Sequence, residues 1–383
     1  MKKISARWRN LYTKAGFSSF MASLLAILCG LVVGFVVLLV ADPANAFWGL
    51  LAILTGGLSD MKNLGQVLYA ATPIILTGLS VGFANKTGLF NIGASGQFIV
   101  GAYVAVLMGV KCTFIPGPLL WLACLLGAML AGAVWGLVPG FLKAVCNVNE
   151  VIACIMMNYI GMYGVNFLIQ LTVFDSLKNQ SLPVAENANA PKLGMDLIFR
   201  SGATASSANA GIFIAVLAGV VIYYLIEKTK FGYELKATGS NYNAAKYCGM
   251  KENQNIILTM VIAGALAGFG AGLLYLTGIE DWETTISSVP AMGFNGIAVA
   301  FLGGLSPIGS ILSAFFIQYI TTGGGNVDLQ VYCSQISSLI SALIIYLCAF
   351  VGFFKYFIQT RLRKADERKA AKAAQIQEGG EDK

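Results

Sequence analysis

The sequence predicts an all-helical, polytopic membrane protein, and three observations carry that prediction. Long apolar stretches follow one another from Phe20 to Phe357, charges gather between them or at the chain ends, and the polar residues within them are mostly amides. Hydrophobic residues make up 57 % of the 383 and charged residues only 11 %, with a mean hydropathy of +0.74. A soluble domain carries roughly 25 % charge. In a bilayer, segments of about 20 apolar residues satisfy their backbone groups internally as helices.

Taken in order, residues 1–19 form a basic tail before the first span, Phe20–Val40. Lys2, Lys3, Arg7 and Arg9 followed by an apolar run, with Ala44-Asn45-Ala46 beyond it, have the outline of a secretory signal. The run is too long for a signal core of about 7–15 residues, so it reads as a retained helix. The following spans are Val67–Phe83, Ile92–Val110, Leu119–Leu142, Val151–Leu171, Gly211–Ile226 and Ile256–Leu276. Three more complete a set of ten: Ala291–Phe301, Ile308–Ile320 and Ser337–Phe357. The eighth and ninth are short and separated by Gly303, Gly304 and Pro307, a pattern that also fits a broken or re-entrant pair packed against protein or a cavity. Pro73 and Pro139 are expected to kink their spans. A single transmembrane domain thus covers 20–357, and 358–383 is a charged tail, helical at first and then disordered.

Ten crossings put both termini on one side, and basic residues decide which. With the termini in the cytoplasm, inner segments hold 20 Lys or Arg, whereas outer segments hold five: Lys62, Lys111, Lys178, Lys192 and Arg200. The net charge of +7 is therefore a matter of topology and anionic-lipid contact rather than nucleic-acid binding.

Several chemistries are excluded by composition. There is no His, which removes His-based triads, usual zinc sites and His proton relays. The eight cysteines include no C-x-x-C pair and sit largely in or beside apolar spans, where packing explains them. No Gly-Lys dipeptide occurs, so a phosphate loop is absent and ATP would have to be bound by another chain. Glu150, at the edge of the fifth span, is the one acid placed to enter the membrane, which disfavours an ion-coupled carrier.

The polar signal inside the spans consists of Asn91, Gln97, Asn158, Asn166 and Asn295, each able to meet a solute or a neighbouring helix. Gly132, Gly136 and Gly140 on the fourth span, and Gly264, Gly268 and Gly272 on the seventh, recur every fourth residue and predict close helix packing. Between the sixth and seventh spans lies Glu227–Lys251, too patterned for a plain connector. Ser240 is expected to cap a short helix over Asn241–Cys248, Gly249 to end it in the left-handed conformation, and Ala244 and Ala245 to give it a small face for docking.

Three blocks carry a family resemblance: GFANKTGLFNIGASGQFIVG at 82–101, NVNEVIACIMMNYI at 147–160, and GYELKATGSNYNAAKYCG at 232–249. In this order and spacing the chain resembles, from about Leu64 to Phe357, the permease subunits of bacterial ABC importers for nucleosides, within a group that includes ribose-type sugar and branched-chain amino-acid permeases. The first block is similar to the nucleoside branch. The resemblance implies that Gly239, Asn241, Asn243, Ala244, Ala245, Lys246 and Gly249 belong to a coupling helix contacting an ATPase subunit. It also implies that Asn91, Gln97, Glu150 and Asn158 line or brace the solute pathway, to which Asn295 is added only as an amide inside a span. Asn243-Ala244-Ala245 departs from the Glu-Ala-Ala that opens the general importer motif, so no charge contact is inferred there.

The function expected is translocation without chemistry on the solute: not an enzyme, no metal, and no cofactor bound by this chain, ATP and Mg being held by the partner ATPase. Expected partners are that ATPase, a second permease that is a copy or a paralogue, the bilayer, and an extracytoplasmic binding protein presenting the nucleoside. The binding protein would meet the outer loops around Phe174–Ser207 and Gly278–Pro290, and outer segments carry nine acids against five bases. The alternatives are a sugar-type ABC permease, an ion-coupled secondary carrier, and a membrane enzyme for which no catalytic constellation is found.

Overall fold

The computed structural model describes residues 15–285 and 288–325, with scattered positions between 339 and 361. Most of the tenth expected span and most of both charged tails lie outside the described residues. The first helices are α1 (Ala15–Ala41), α2 (Ala46–Gly56), α3 (Met61–Asn85), α4 (Ala94–Lys111), α5 (Gly117–Cys146) and α6 (Glu150–Thr172). A layer of loops follows, with hairpin β1 (Phe174–Asp175) and β2 (Gln180–Ser181), a single turn α7 (Met195–Ile198), and hairpin β3 (Arg200–Ser201) and β4 (Thr204–Ala205). The chain then forms α8 (Gly211–Lys228), α9 (Lys230–Ser240), α10 (Tyr242–Tyr247), α11 (Glu252–Tyr275), α12 (Ala291–Leu302) and α13 (Pro307–Gly325).

Among the described residues seven helices are long and apolar enough to cross a bilayer: most of α1, then α3, α4, α5, α6, α8 and α11. The pair α12 and α13 is an eighth unit, bent by 119° at the break the glycines and Pro307 foretell. Gly303 and Gly309 face each other across the elbow, and a side chain on either would strike the other's backbone. The polytopic helical class is therefore as expected, and one element is additional: α2, eleven apolar residues that are too short to read as a span.

Helix α3 is the central post of the bundle, buried along nine-tenths of its apolar length (89 %), and α11 runs beside it. Both glycine stripes meet each other. A side chain on Gly132 would collide with the Gly264 carbonyl, one on Gly268 with the Ala128 carbonyl, and one on Gly136 with the Met260 carbonyl. With no hydrophobic drive between helices in lipid, such backbone proximity supplies the packing. Pro73 and Pro139 both lie inside continuous helices. Helix α1 is tied to the bundle by Ser23 Oγ, which donates to the Leu302 carbonyl at 2.8 Å, and Tyr319 of α13 donates to the Leu54 carbonyl of α2.

The helices alternate direction, so the bundle has two ends. At one lie the two hairpins and the 278–285 segment; at the other lie α9, α10 and the turn after α3. The hairpin layer is pinned to α6: Trp282 Nε1 donates to Asn166 Oδ1 at 2.8 Å, the Ser181 and Trp282 amides bond across, and Gln180 Nε2 donates to Asp281 at 2.8 Å. Burial of that carboxylate raises the pKa of Asp281, against the field of Lys178.

Candidate functional site

Two arrangements bring together most of the residues singled out by sequence, and they adjoin. The first is the turn from α3 into α4, residues 86–96. Asn91 and Gln97 form a reciprocal amide pair: Asn91 Nδ2 donates to Gln97 Oε1 at 2.9 Å and Gln97 Nε2 donates to Asn91 Oδ1 at 3.2 Å. The second proton on Asn91 Nδ2 goes to Ser80 Oγ at 3.0 Å, and Ser80 passes its own to the Ala263 carbonyl of α11 at 2.6 Å. Both amides are fully buried, and a buried amide left unbonded would be costly, so this closed arrangement holds three helices in register.

Asn158 reaches across from α6 to close the other side. Its Oδ1 accepts from the Gly96 amide at 2.8 Å and its Nδ2 donates to the Ile92 carbonyl at 3.1 Å. The first turn of α4 is thus capped by a side chain of another helix, doing for Gly96 what an N-cap residue does locally. The sequence I-G-A-S-G follows from this: a side chain at Gly96 would meet Asn158, and one at Gly93 would meet Cys154. Ser95 Oγ is buried here with no hydrogen-bond partner among the described residues. Glu150 stands apart, in the first turn of α6 that Asn149 caps, paired with Lys143 at 2.9 Å. Asn295, half-buried on α12, joins none of these bonds.

The second arrangement is α9 with α10. Thr229 caps α9 through the Gly232 amide at 3.1 Å, and Gly232 packs so tightly on the last carbonyls of α8 that no side chain fits. The expected cap at Ser240 is incorrect. Ser240 is the last residue of α9, and Asn241, extended at φ −155° and ψ 104°, breaks the helix and caps α10 by accepting from the Ala244 amide at 3.0 Å. An Asx side chain three residues before the bonded amide outcompetes a helical Ser. Gly249 ends the turn with φ +76°, as expected.

A second correction concerns direction. Ala245 faces its own chain, 3 % exposed, whereas Asn243, Ala244, Lys246 and Cys248 are exposed and Tyr247 is 93 % exposed. The small pair does not form one outward face, because successive helical residues point about 100° apart.

The two arrangements touch. Gly239, one residue before the end of α9, packs on the turn over Lys86–Gly88, and Gly88 has φ +74°. Beside this contact runs a buried polar line that sequence reasoning did not single out. Asn255 Nδ2 donates to Thr238 Oγ1 at 3.1 Å, Thr259 Oγ1 donates to the Asn255 carbonyl at 2.6 Å, and the Thr87 and Thr259 hydroxyls lie 2.8 Å apart. Thr259 has one proton, already committed, so Thr87 is the donor. Isolated hydroxyls in apolar helices carry no periodic signal, which is why spacing alone did not find them. Burial holds the Lys86 ammonium below its ordinary pKa, partly opposed by Glu227.

Among the described residues no group of acids and cysteines is placed to hold a metal, and the described cysteines are free. What this geometry can do is mechanical: an exposed short helix is joined by backbone contact to a rigid polar junction among the spans.

Residues 63–349 match the family described as the branched-chain amino acid transport system permease component. The chain belongs to this family and is a multi-pass permease subunit of an ABC transporter. It is 35 % identical over 351 residues to the guanosine ABC transporter permease protein NupP of Bacillus subtilis (strain 168), covering 91 % of this chain and 97 % of the relative. It is 34 % identical over 355 residues to the nucleoside ABC transporter permease protein NupB of Lactococcus lactis subsp. cremoris, covering 91 % and 95 %. The glucose ABC transporter permease protein TsgB13 of Haloferax volcanii is 31 % identical over 339 residues, covering 87 % and 88 %. No solved structure matches significantly.

Proposed function

We propose that the chain carries nucleosides inward as one of two permease subunits, driven by ATP hydrolysis in a partner subunit and supplied by an extracytoplasmic binding protein. The observation that supports this above all is similarity along nine-tenths of the chain to two permeases named for guanosine and nucleosides, exceeding that to the glucose permease. The basic-residue bias supports a cytoplasmic α9–α10 end, and in this reading the exposed Ala244, Lys246 and Tyr247 offer the contact for the ATPase. The hairpin layer then faces the binding protein.

In this reading Asn91, Gln97 and Asn158 brace the pathway rather than line it, because each of their amide nitrogens and oxygens already bonds within the protein, to one another, to Ser80 or to backbone. A push on α10 passes through Gly239 to the Gly88 turn and so to the amide junction, biasing the helices between two arrangements. Uptake by vesicles holding the permease pair and ATPase, supplied with binding protein, tests the whole reading. Nucleoside uptake that needs ATP is expected. Glucose uptake instead would make this a sugar-type permease, and gradient-driven uptake by this chain alone would end the ABC reading.

A further inference from the structure

The outward faces of the membrane helices are not alike. That of α5 is aliphatic from Leu122 to Val138, and on α8 the exposed Tyr224 lies within four residues of the helix end, where its phenol reaches the headgroup region. Helix α6 differs. Along one stripe of about 120° it exposes Ile152, Met156, Tyr159, Tyr163, Phe167 and Gln170, from end to end.

Tyr159 and Tyr163, 48 % and 60 % exposed, stand near the middle of this 23-residue helix. At 1.5 Å per residue each is at least about 13 Å from either end, too deep for a phenol to reach the interface. Neither hydroxyl has a partner among the described residues. Facing hydrocarbon, both would be unsatisfied, and rotation of the helix cannot hide them, because the two Asn158 bonds fix its opposite face against α4. The stripe therefore meets water or the polar surface of the second permease subunit across a route, and not hydrocarbon. A side chain at Gly164, next to Tyr163, would meet nothing within 4 Å, so the surface beside that ring is open and flat.

We infer that this face of α6 lines the translocation route and that Tyr159 and Tyr163 are two stacking platforms for the nucleobase, one helical turn apart. The inference rests on the nucleoside reading. Stacking suits a carrier that must accept bases of different hydrogen-bonding pattern, since every base has a π-face. Two equivalent platforms about 6 Å apart allow the base to pass from one to the next without a deep well.

The test uses the complete transporter in vesicles at saturating loaded binding protein. Tyr159→Leu combined with Tyr163→Leu is expected to lower the uptake rate about tenfold, whereas the paired Phe variants stay within about twofold, because the rings remain. In a second arm, Tyr163→Cys is treated with a small charged thiol reagent and the label is mapped by peptide mass. The introduced thiol should react, guanosine should protect it, and ribose should not. Unchanged uptake by the Leu pair, or an introduced thiol that reacts only with a lipid-soluble maleimide, would overturn the platforms in a complex that imports nucleosides. Protection by ribose as well would overturn base stacking. Failure of the unmodified complex to import any nucleoside would instead overturn the functional reading, and the ligand of the platforms with it.

Discussion

Gly88 and Gly239 meet backbone to backbone, the point at which the exposed α9–α10 segment presses on the turn leading to the buried amides. A methyl on Gly239 would lie 2.5 Å from the Lys86 carbonyl oxygen and 2.8 Å from the Gly88 nitrogen. Backbone offers no soft side chain to yield. Gly239→Ala should therefore separate the segment from the turn and lower ATP-dependent uptake by about tenfold or more, with the ATPase still bound. Gly88→Ala meets its neighbour less closely, at 3.3 Å, but adds left-handed strain of about 1–2 kcal/mol. Wild-type uptake by Gly239→Ala would make the contact passive.

The amide pair is expected to behave as a unit. Gln97→Leu strands one proton of Asn91 in a buried site and leaves its oxygen only the weak Cys154 thiol donor at 4.0 Å, a loss of about 1–3 kcal/mol readable as a lowered midpoint of thermal unfolding in detergent. Asn91→Leu should cost a similar amount, and the double variant should cost less than the two losses added. Strict additivity would show the two amides to be independent.

Neighbouring alanines on α10 should respond in opposite ways. Ala245→Glu buries a charge inside the permease and should lower its own stability by about 2 kcal/mol or more, before any partner is present. Ala244→Glu, on the exposed side, should leave thermal unfolding within about 0.5 kcal/mol of wild type. Its effect should appear only in association with the ATPase and in ATP hydrolysis stimulated by loaded binding protein. The reverse pattern would mean that α10 is turned over.

The hairpin layer should tighten on mild acidification. Asp281 has a folded-state pKa above its ordinary value, so the folded form binds more protons than the unfolded form through the range just above that value. Its contribution to stability rises as pH falls through the folded pKa and is fully present only below the unfolded one. Hydrogen exchange at the Ser181 and Trp282 amides, corrected for intrinsic rate, should slow as the pH falls from neutrality toward the ordinary carboxylate range, and Asp281→Asn should remove the trend. Faster exchange at the acid end in the wild type would contradict the sign.

Much of this fold is legible because a bilayer leaves the chain few options. Each apolar run long enough to cross does become a helix within the described residues, and the two glycine stripes are visible as faces before their mutual contact is known. Three features escaped for physical reasons. Helix α2 is half a span long, so a window tuned to 20 residues passes over it. The break at Asn241 is decided by which of two adjacent side chains captures the Ala244 amide, a choice that local propensity leaves open. Ala245 faces inward because α9 and α11 orient α10, and six residues are too few for periodicity to fix a phase. The amide junction was visible as residues but not as bonds, since Asn158 and Gly96 are joined only by the fold.

That last bond also bears on the order of biogenesis. The cap on the start of α4 is supplied by a residue 62 positions later in the chain. At a synthesis rate of about 5–20 residues per second, the side chain that completes this turn is made roughly 3–12 s after the turn itself. Until then the Gly96 amide and the Ile92 carbonyl have no Asn158 to bond, and the α3–α4 pair reaches the membrane with its Asn91–Gln97 pair able to form but its cap from α6 missing. Helices α3 to α6 therefore mature as a group, and a ribosome halted between α4 and α6 would leave an insertion intermediate that lacks its closing bond.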